Sequence, residues 1–140
     1  MKILLDTNVI IDALQSRTPW AADAQRIFLL VAANEVTGFI TAKAVTDIHY
    51  IIHHHLHDEK RTRDALQKLL ELFDLLDTTG TDCRKALLAP TTDYEDAVMI
   101  ETAVRSGIDC IVTRNSKDYS LSSVPVYTPD AFLKTLIDRK

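Results

Sequence analysis

Glycine and proline are scarce, with three and four among 140 residues. With no repeat and no low-complexity stretch either, nothing in the chain reads as a linker. One domain over residues 1–140 is the expectation, large enough to bury a real core. Cysteine is limited to Cys83 and Cys110, which have neither zinc nor redox-motif spacing. Free thiols in a reducing cytoplasm are the simplest setting. No apolar run approaches the roughly 20 residues needed to span a bilayer, so no membrane role is expected. Met1 leads straight into the strand-like Lys2-Ile3-Leu4-Leu5, without the basic, apolar and small-residue regions of a signal peptide. Positive charge is short as well: 16 Lys and Arg against 20 Asp and Glu, for a net charge of −4. That excludes a broad basic face for coating nucleic acid. It leaves room for a nucleic-acid enzyme, because clustered acids bind cations that offset their charge locally. It also favours a small or dimer-built basic surface over a large one.

The hydrophobic fraction of 46% is ordinary for a globular chain, and its pattern alternates between strand and helix. Lys2 to Leu5 reads as a buried strand ending at Asp6, and Thr7 to Leu14 as a helix capped by Asp6 or Thr7. Pro19 fits the first turn of a second helix with Ala24, Ile27, Phe28 and Val31 on its apolar face. Glu35 to Ile40 is a strand candidate, and Thr41 can cap a helix from Ala42 to Leu56. Asp58 to Leu72 follows as a helix with Leu66, Leu69 and Leu70 inward, then a strand between Leu72 and Leu76. A short helix is expected over Thr81 to Ala89. Thr92 and Glu95 have capping-box spacing for a helix from Asp93 to about Ser106, and Gly107 sits where a C-terminal glycine belongs. Cys110 to Thr113 is a short buried strand. Val124 to Tyr127 reads as an edge strand, where Pro125 is tolerated, and Pro129 opens a closing helix. Such alternation predicts an α/β fold, a three-layer α/β/α arrangement around a parallel sheet of four to five strands. Ligands in these sheets bind outside the carboxyl ends of the strands.

Acidic residues fall where a strand ends or a helix begins. Asp6 closes the first strand, Asp47 interrupts an apolar helix, Asp96 lies in the first turn of another, and Asp118 follows the Cys110 strand. Carboxylates gathered by a fold repel one another, and the usual remedy is a hard divalent cation. The set therefore reads as a metal-dependent phosphoryl-transfer site. Each residue also has a plainer reading. Asp6 and Asp93 can be helix caps, Asp47 part of a solvated face, and Asn115 and Asp118 turn formers. His49, His53, His54, His55 and His57 crowd one helical stretch, but no acid completes a zinc motif there, and a solvated or interface face is the expected role. Trp20 is expected to pack at the start of its helix rather than to stack on a base.

Three runs in order, Ile3-Leu4-Leu5-Asp6-Thr7-Asn8-Val9, Asp93-Tyr94-Glu95-Asp96-Ala97 and Ile111-Val112-Thr113-Arg114-Asn115-Ser116-Lys117-Asp118-Tyr119, resemble the PIN domain family. That is the fold of the VapC-type toxin ribonucleases, and the likeness runs over essentially the whole chain. The resemblance implies hydrolysis of phosphodiester bonds in single-stranded RNA with Mg²⁺ or Mn²⁺. It makes Asp6 and Asp96 the principal metal ligands. Asp47 falls where most members carry glutamate, and Asn115 where they carry aspartate, with Asp118 three residues on taking over as in one prokaryotic subgroup. Thr7, Asn8, Asp93, Thr113, Arg114 and Asn115 become candidates for supporting the acids or contacting the phosphate. By the same resemblance, expected partners are an RNA substrate, a second copy of the chain and a small antitoxin protein.

Two rivals remain at this level. A receiver-like phosphoacceptor domain would need an acidic pair after the first strand and an accepting Asp after the third; here Asp6 stands alone. A PIN-fold module that has lost catalysis and serves as a scaffold is the other, kept open by Asn115.

Overall fold

The first strand, β1 (Lys2–Leu5), has three consecutive apolar residues buried to within 1% of full enclosure. A strand hidden on both faces needs helices above and below it. A computed structural model describes residues 1–90, 93–119 and 122–138, and of Asp118 only the backbone. Around β1 lie α1 (Thr7–Leu14), α2 (Ala21–Ala32), β2 (Thr37–Thr41), α3 (Ala42–Leu56), α4 (Glu59–Leu72) and β3 (Asp74–Leu76). The chain continues through α5 (Gly80–Ala86), α6 (Tyr94–Arg105), β4 (Cys110–Val112), a 3-10 turn (Ser116–Tyr119), β5 (Val126–Tyr127) and α7 (Pro129–Asp138). The five strands form one parallel sheet in the order β3-β2-β1-β4-β5.

Alternate residues of β1 feed the two cores. Ile3 and Leu5 join Ile10, Ile27, Ile48, Leu69 and Phe132 from α1, α2, α3, α4 and α7. Leu4 joins Ile100 and Ala103 of α6, Ile111 and Tyr119 on the opposite face. The result is the expected three-layer α/β/α fold. Each fully buried aliphatic side chain contributes about 1.5–3 kcal/mol, so β1 and α1, with Val9, Ile10 and Ile11, are both firmly anchored.

Local boundaries shift for local reasons. α2 begins at Ala21 behind Trp20 rather than at Pro19. Along α4 the inward stripe is Thr62, Leu66, Leu69 and then Phe73, at helical spacing, which turns Leu70 out to 38% exposure. Asp58 caps α4 from outside, its side chain accepting from the Arg61 N–H. The Asp93 side chain caps α6, while Thr92 lies outside the described residues. Gly107 takes a φ of +67° after α6, a conformation that a side chain would strain.

Gly38 in β2 is required by space. A Cβ there would lie 2.6 Å from two ring carbons of Phe73 and 2.9 Å from Val31 Cγ2. Phe73 is itself buried and edge-on to Phe28, with ring centroids 5.0 Å apart, so it has little room to yield. Gly38→Ala is expected to destabilise the fold by about 1–3 kcal/mol, read as a lower urea midpoint at unchanged slope. A midpoint equal to the parent's would show that the β2–α4 packing is looser than described.

Candidate active site

Strand order reverses beside β1. The chain first builds outward through β2 and β3, then returns to place β4 on the other edge of β1. Such a switch point opens a crevice beyond the carboxyl ends of the two strands. Leu5 pairs with Val112 in register, and the Asp6 N–H donates to the Val112 carbonyl at 3.0 Å. Asp6 and Thr113 are therefore neighbours at that crevice, although 107 positions separate them in sequence.

Asp6 is held from several sides. Its Oδ1 accepts from the Thr7 N–H at 2.7 Å, capping α1. Its Oδ2 accepts from the Thr113 hydroxyl at 2.8 Å, with the Asn8 amide at 3.5 Å. Thr113 is fully buried, and its hydroxyl also accepts from the Asn115 N–H at 3.1 Å. Asn8 reaches Thr113 at 3.4 Å and accepts from the Arg114 N–H at 3.3 Å. Thr113, Asn8 and the Asn115 backbone are thereby engaged in orienting Asp6.

A cleft of about 520 Å³ opens in front of Asp6. Thr7, Lys43, Asp47, Glu95 and Asp96 are among the residues that line it. Three helix starts point into this region: α1 behind Asp6, α3 capped by Thr41, and α6 capped by Asp93, whose Oδ1 accepts from the Asp96 N–H at 3.2 Å. The structure thus brings Asp6, Asp47 and Asp96 to one cleft, with Asp47 on α3 as the outermost of the three at 57% side-chain exposure. Asp93 serves as the cap that orients the first turn of α6. Asp118 falls in the 3-10 turn next to Tyr119, its side chain outside the described residues.

Three further residues meet these acids. Glu95 adds a fourth carboxylate to the cleft. Lys43, the only basic residue among the described lining residues, places its Nζ 2.7 Å from Glu95 and 3.9 Å from Asp47. The hydrogen bond from Lys43 to Glu95, with the charges of Glu95, Asp47 and Asp6, raises its pKa against the opposing effect of burial. Tyr119 is the third. Its buried hydroxyl lies 2.9 Å from Asp96 Oδ1 and 3.3 Å from Asp6 Oδ2, with Met99 Sδ at 3.4 Å. Burial first, then the two carboxylates, pushes its ionisation far above the usual phenol range, so the group keeps its proton.

Arg114 turns away from this cleft. Its Nε lies 2.6 Å from Asp12 Oδ2, and its guanidinium carbon sits 4.0 Å from the centre of the Trp20 ring. Asp12 is 1% exposed, and burial raises its pKa against the pull of Arg114 and Arg17. The contact is one of charge rather than an aligned hydrogen bond, for neither Asp12 oxygen finds a well-placed donor among the described residues. Trp20 accordingly packs against Arg114 at the start of α2.

On the far part of α3 an acid does reach the histidines, from the next helix. Glu59 lies 3.0 Å from His49 Nε2 and 3.7 Å from His53 Nε2. A hydrogen bond from Arg63, then one from His49, lowers the Glu59 carboxyl to about 2. Among the described residues no three such side chains are arranged to hold a metal.

The cleft's donors are hard carboxylate oxygens, the chemistry that Mg²⁺ and Mn²⁺ select. Mg²⁺ commonly keeps several waters and takes only one or two protein carboxylates. Asp6 and Asp96, both within reach of one hydroxyl, fit that requirement.

A family model described as PIN domain matches residues 2–117 of the chain. No curated protein matches it. Among solved structures, VapBC-1 of nontypeable Haemophilus influenzae shares 16% identity at a TM-score of 0.67, covering 93% of this chain and 99% of that one. A toxin-antitoxin complex from Klebsiella pneumoniae shares 23% at 0.63, covering 91% and 97%. The sarcin-ricin-loop-cleaving toxin VapC20 of Mycobacterium tuberculosis shares 14% at 0.60, covering 78% and 86%. At these identities the likeness is one of fold.

Proposed function

Because the chain belongs to the PIN domain family, we propose that it is a divalent-metal-dependent ribonuclease that hydrolyses single-stranded RNA, and that it is the toxin of a toxin-antitoxin pair. The observation that carries this reading is the placement of Asp6 and Asp96 on either side of the Tyr119 hydroxyl, at the strand-order switch point. Asp6 and Asp96 would hold the principal Mg²⁺ or Mn²⁺. When bound, that ion supplies Lewis acidity toward the phosphate and lowers the pKa of adjacent water.

The chain's own groups do the rest. Asp47, on the open side of the cleft, helps position the ion or takes the proton of the attacking water. Asn115 and Asp118 orient that water or hold a second ion. Thr7 lines the phosphate's path, and Lys43, moving off Glu95, contributes a cation to the phosphate oxygens. Arg114, fixed on Asp12, shapes the wall through its backbone contact with Asn8. The Klebsiella structure is a toxin-antitoxin complex, and a small antitoxin, together with a second copy of the chain, forms part of this proposal.

The test is cleavage of labelled single-stranded RNA in Mg²⁺ or Mn²⁺ beside EDTA, with a matched DNA strand. RNA should be cut, the DNA strand spared, cutting lost in EDTA and restored by excess metal. Cleavage persisting in EDTA would end the metal reading. If neither RNA nor DNA is cut while Mn²⁺ still binds, the scaffold reading replaces the enzyme.

A further inference from the structure

Tyr119 sits just past the residues matched by the family model, and its hydroxyl has an unusual task. A phenol carries one proton, yet this oxygen lies 2.9 Å from one carboxylate and 3.3 Å from another. It can donate to only one at a time. The shorter contact assigns the proton to Asp96, while Asp6 Oδ2 is already supplied by the Thr113 hydroxyl at 2.8 Å. The ring cannot drift away, because it is 2% exposed and packed among Leu4, Ile100, Ala103 and Ile111.

We propose that Tyr119 is a positioning residue of the metal site: its hydroxyl orients Asp96 toward Asp6, which Thr7 and Thr113 already hold, so that one divalent ion meets both. The inference rests on the metal-nuclease reading above and adds to it a residue that acts through the carboxylates. Repulsion from the fixed Asp6 charge otherwise favours other orientations of the Asp96 side chain in the absence of metal, and the ion must then work against that reorganisation. A donor held in the fold removes the cost, as outer partners of metal ligands commonly do. Removing such partners typically weakens metal binding roughly 10–100-fold.

Tyr119→Phe keeps the ring and its packing and deletes only the oxygen. Mn²⁺ binding by titration calorimetry is expected to weaken about tenfold. RNA cleavage should then need about tenfold more Mn²⁺ to reach half its maximum, while kcat at saturating metal stays within about threefold of the parent. Tyr94→Phe is the control; that hydroxyl donates to the Cys83 carbonyl at 2.8 Å, and its loss should leave Mn²⁺ affinity alone. Melting in EDTA confirms that each variant is folded. A Tyr119→Phe protein that binds Mn²⁺ as tightly as the parent, or more tightly, overturns the inference alone. A parent protein that binds no Mn²⁺, or an Asp96→Asn variant that binds it undiminished, overturns the underlying metal reading as well.

Discussion

Asp6→Asn and Asp96→Asn are each expected to lower kcat/KM for RNA cleavage by roughly 10³-fold or more, about 4 kcal/mol of transition-state stabilisation. The change removes one negative charge and one hard oxygen from a site proposed to work through both. Neither substitution should cost the fold. At Asp6, asparagine caps a helix as well as aspartate does, so the Thr7 N–H at 2.7 Å keeps its acceptor. The Thr113 hydroxyl, now donating to Asp6 Oδ2, can turn to accept from the new amide. At position 96 the remaining oxygen still receives the Tyr119 hydroxyl, now at 2.9 Å. The measurement is cleavage of labelled RNA at saturating Mn²⁺, paired with thermal melting. A folded variant that retains activity within tenfold of the parent would remove that carboxylate from the reaction.

Much of the scaffold is legible in the sequence because its signals are local. β1, α1 and α3 follow from an apolar run, an Asp cap and a helical stripe, and their observed bounds are those expected. Gly107 likewise announces the end of α6 through a backbone requirement. The acids of the candidate cleft are legible where residue type and position coincide: Asp6 at a strand end, Asp96 in the first turn of a helix and Asp47 within an otherwise apolar one. Lys43 and Glu95 meet across 52 positions, and that meeting depends on how the starts of α3 and α6 face each other. No periodicity encodes such a meeting. Tyr119 reads as one more buried aromatic until Asp6 and Asp96 are seen on either side of its hydroxyl. Arg114 misleads in the opposite sense: beside a strand-end threonine it looks like a phosphate contact, whereas Asp12, interior to α1, holds it back. A buried acid within an apolar helix face is the one local sign of that pairing.

Asp82 offers no such sign, and it is where the largest loss of stability is expected. Its carboxylate is 2% exposed and carries the junction between α5 and α6. It closes a capping box with Thr79, accepts from the Thr102 hydroxyl at 3.0 Å, and takes both Nε and Nη2 of Arg105 at 3.0 Å. Arg105 also donates to the Asp77 carbonyl beyond β3. Asp82→Ala strands a buried hydroxyl, a helix-start N–H and half of a guanidinium, a class of change that costs about 3–5 kcal/mol. Arg105 is 41% exposed, and solvent screening on that side places the effect near the lower bound. The same network, with the Arg105 hydrogen bond as its largest cause, lowers the Asp82 carboxyl to about 2 from an ordinary 3.8. A depressed acid stabilises the folded chain above its ordinary pKa and loses that contribution as pH falls through the folded value. The urea stability gap between the parent and Asp82→Asn should therefore be widest above pH 5 and shrink by about 2 kcal/mol as pH falls toward 2. A gap that is flat across that window would mean the Arg105 contact carries no net charge coupling. An Asp82→Ala protein within about 1 kcal/mol of the parent at pH 7 would show that α5 is not fastened to α6 through this carboxylate.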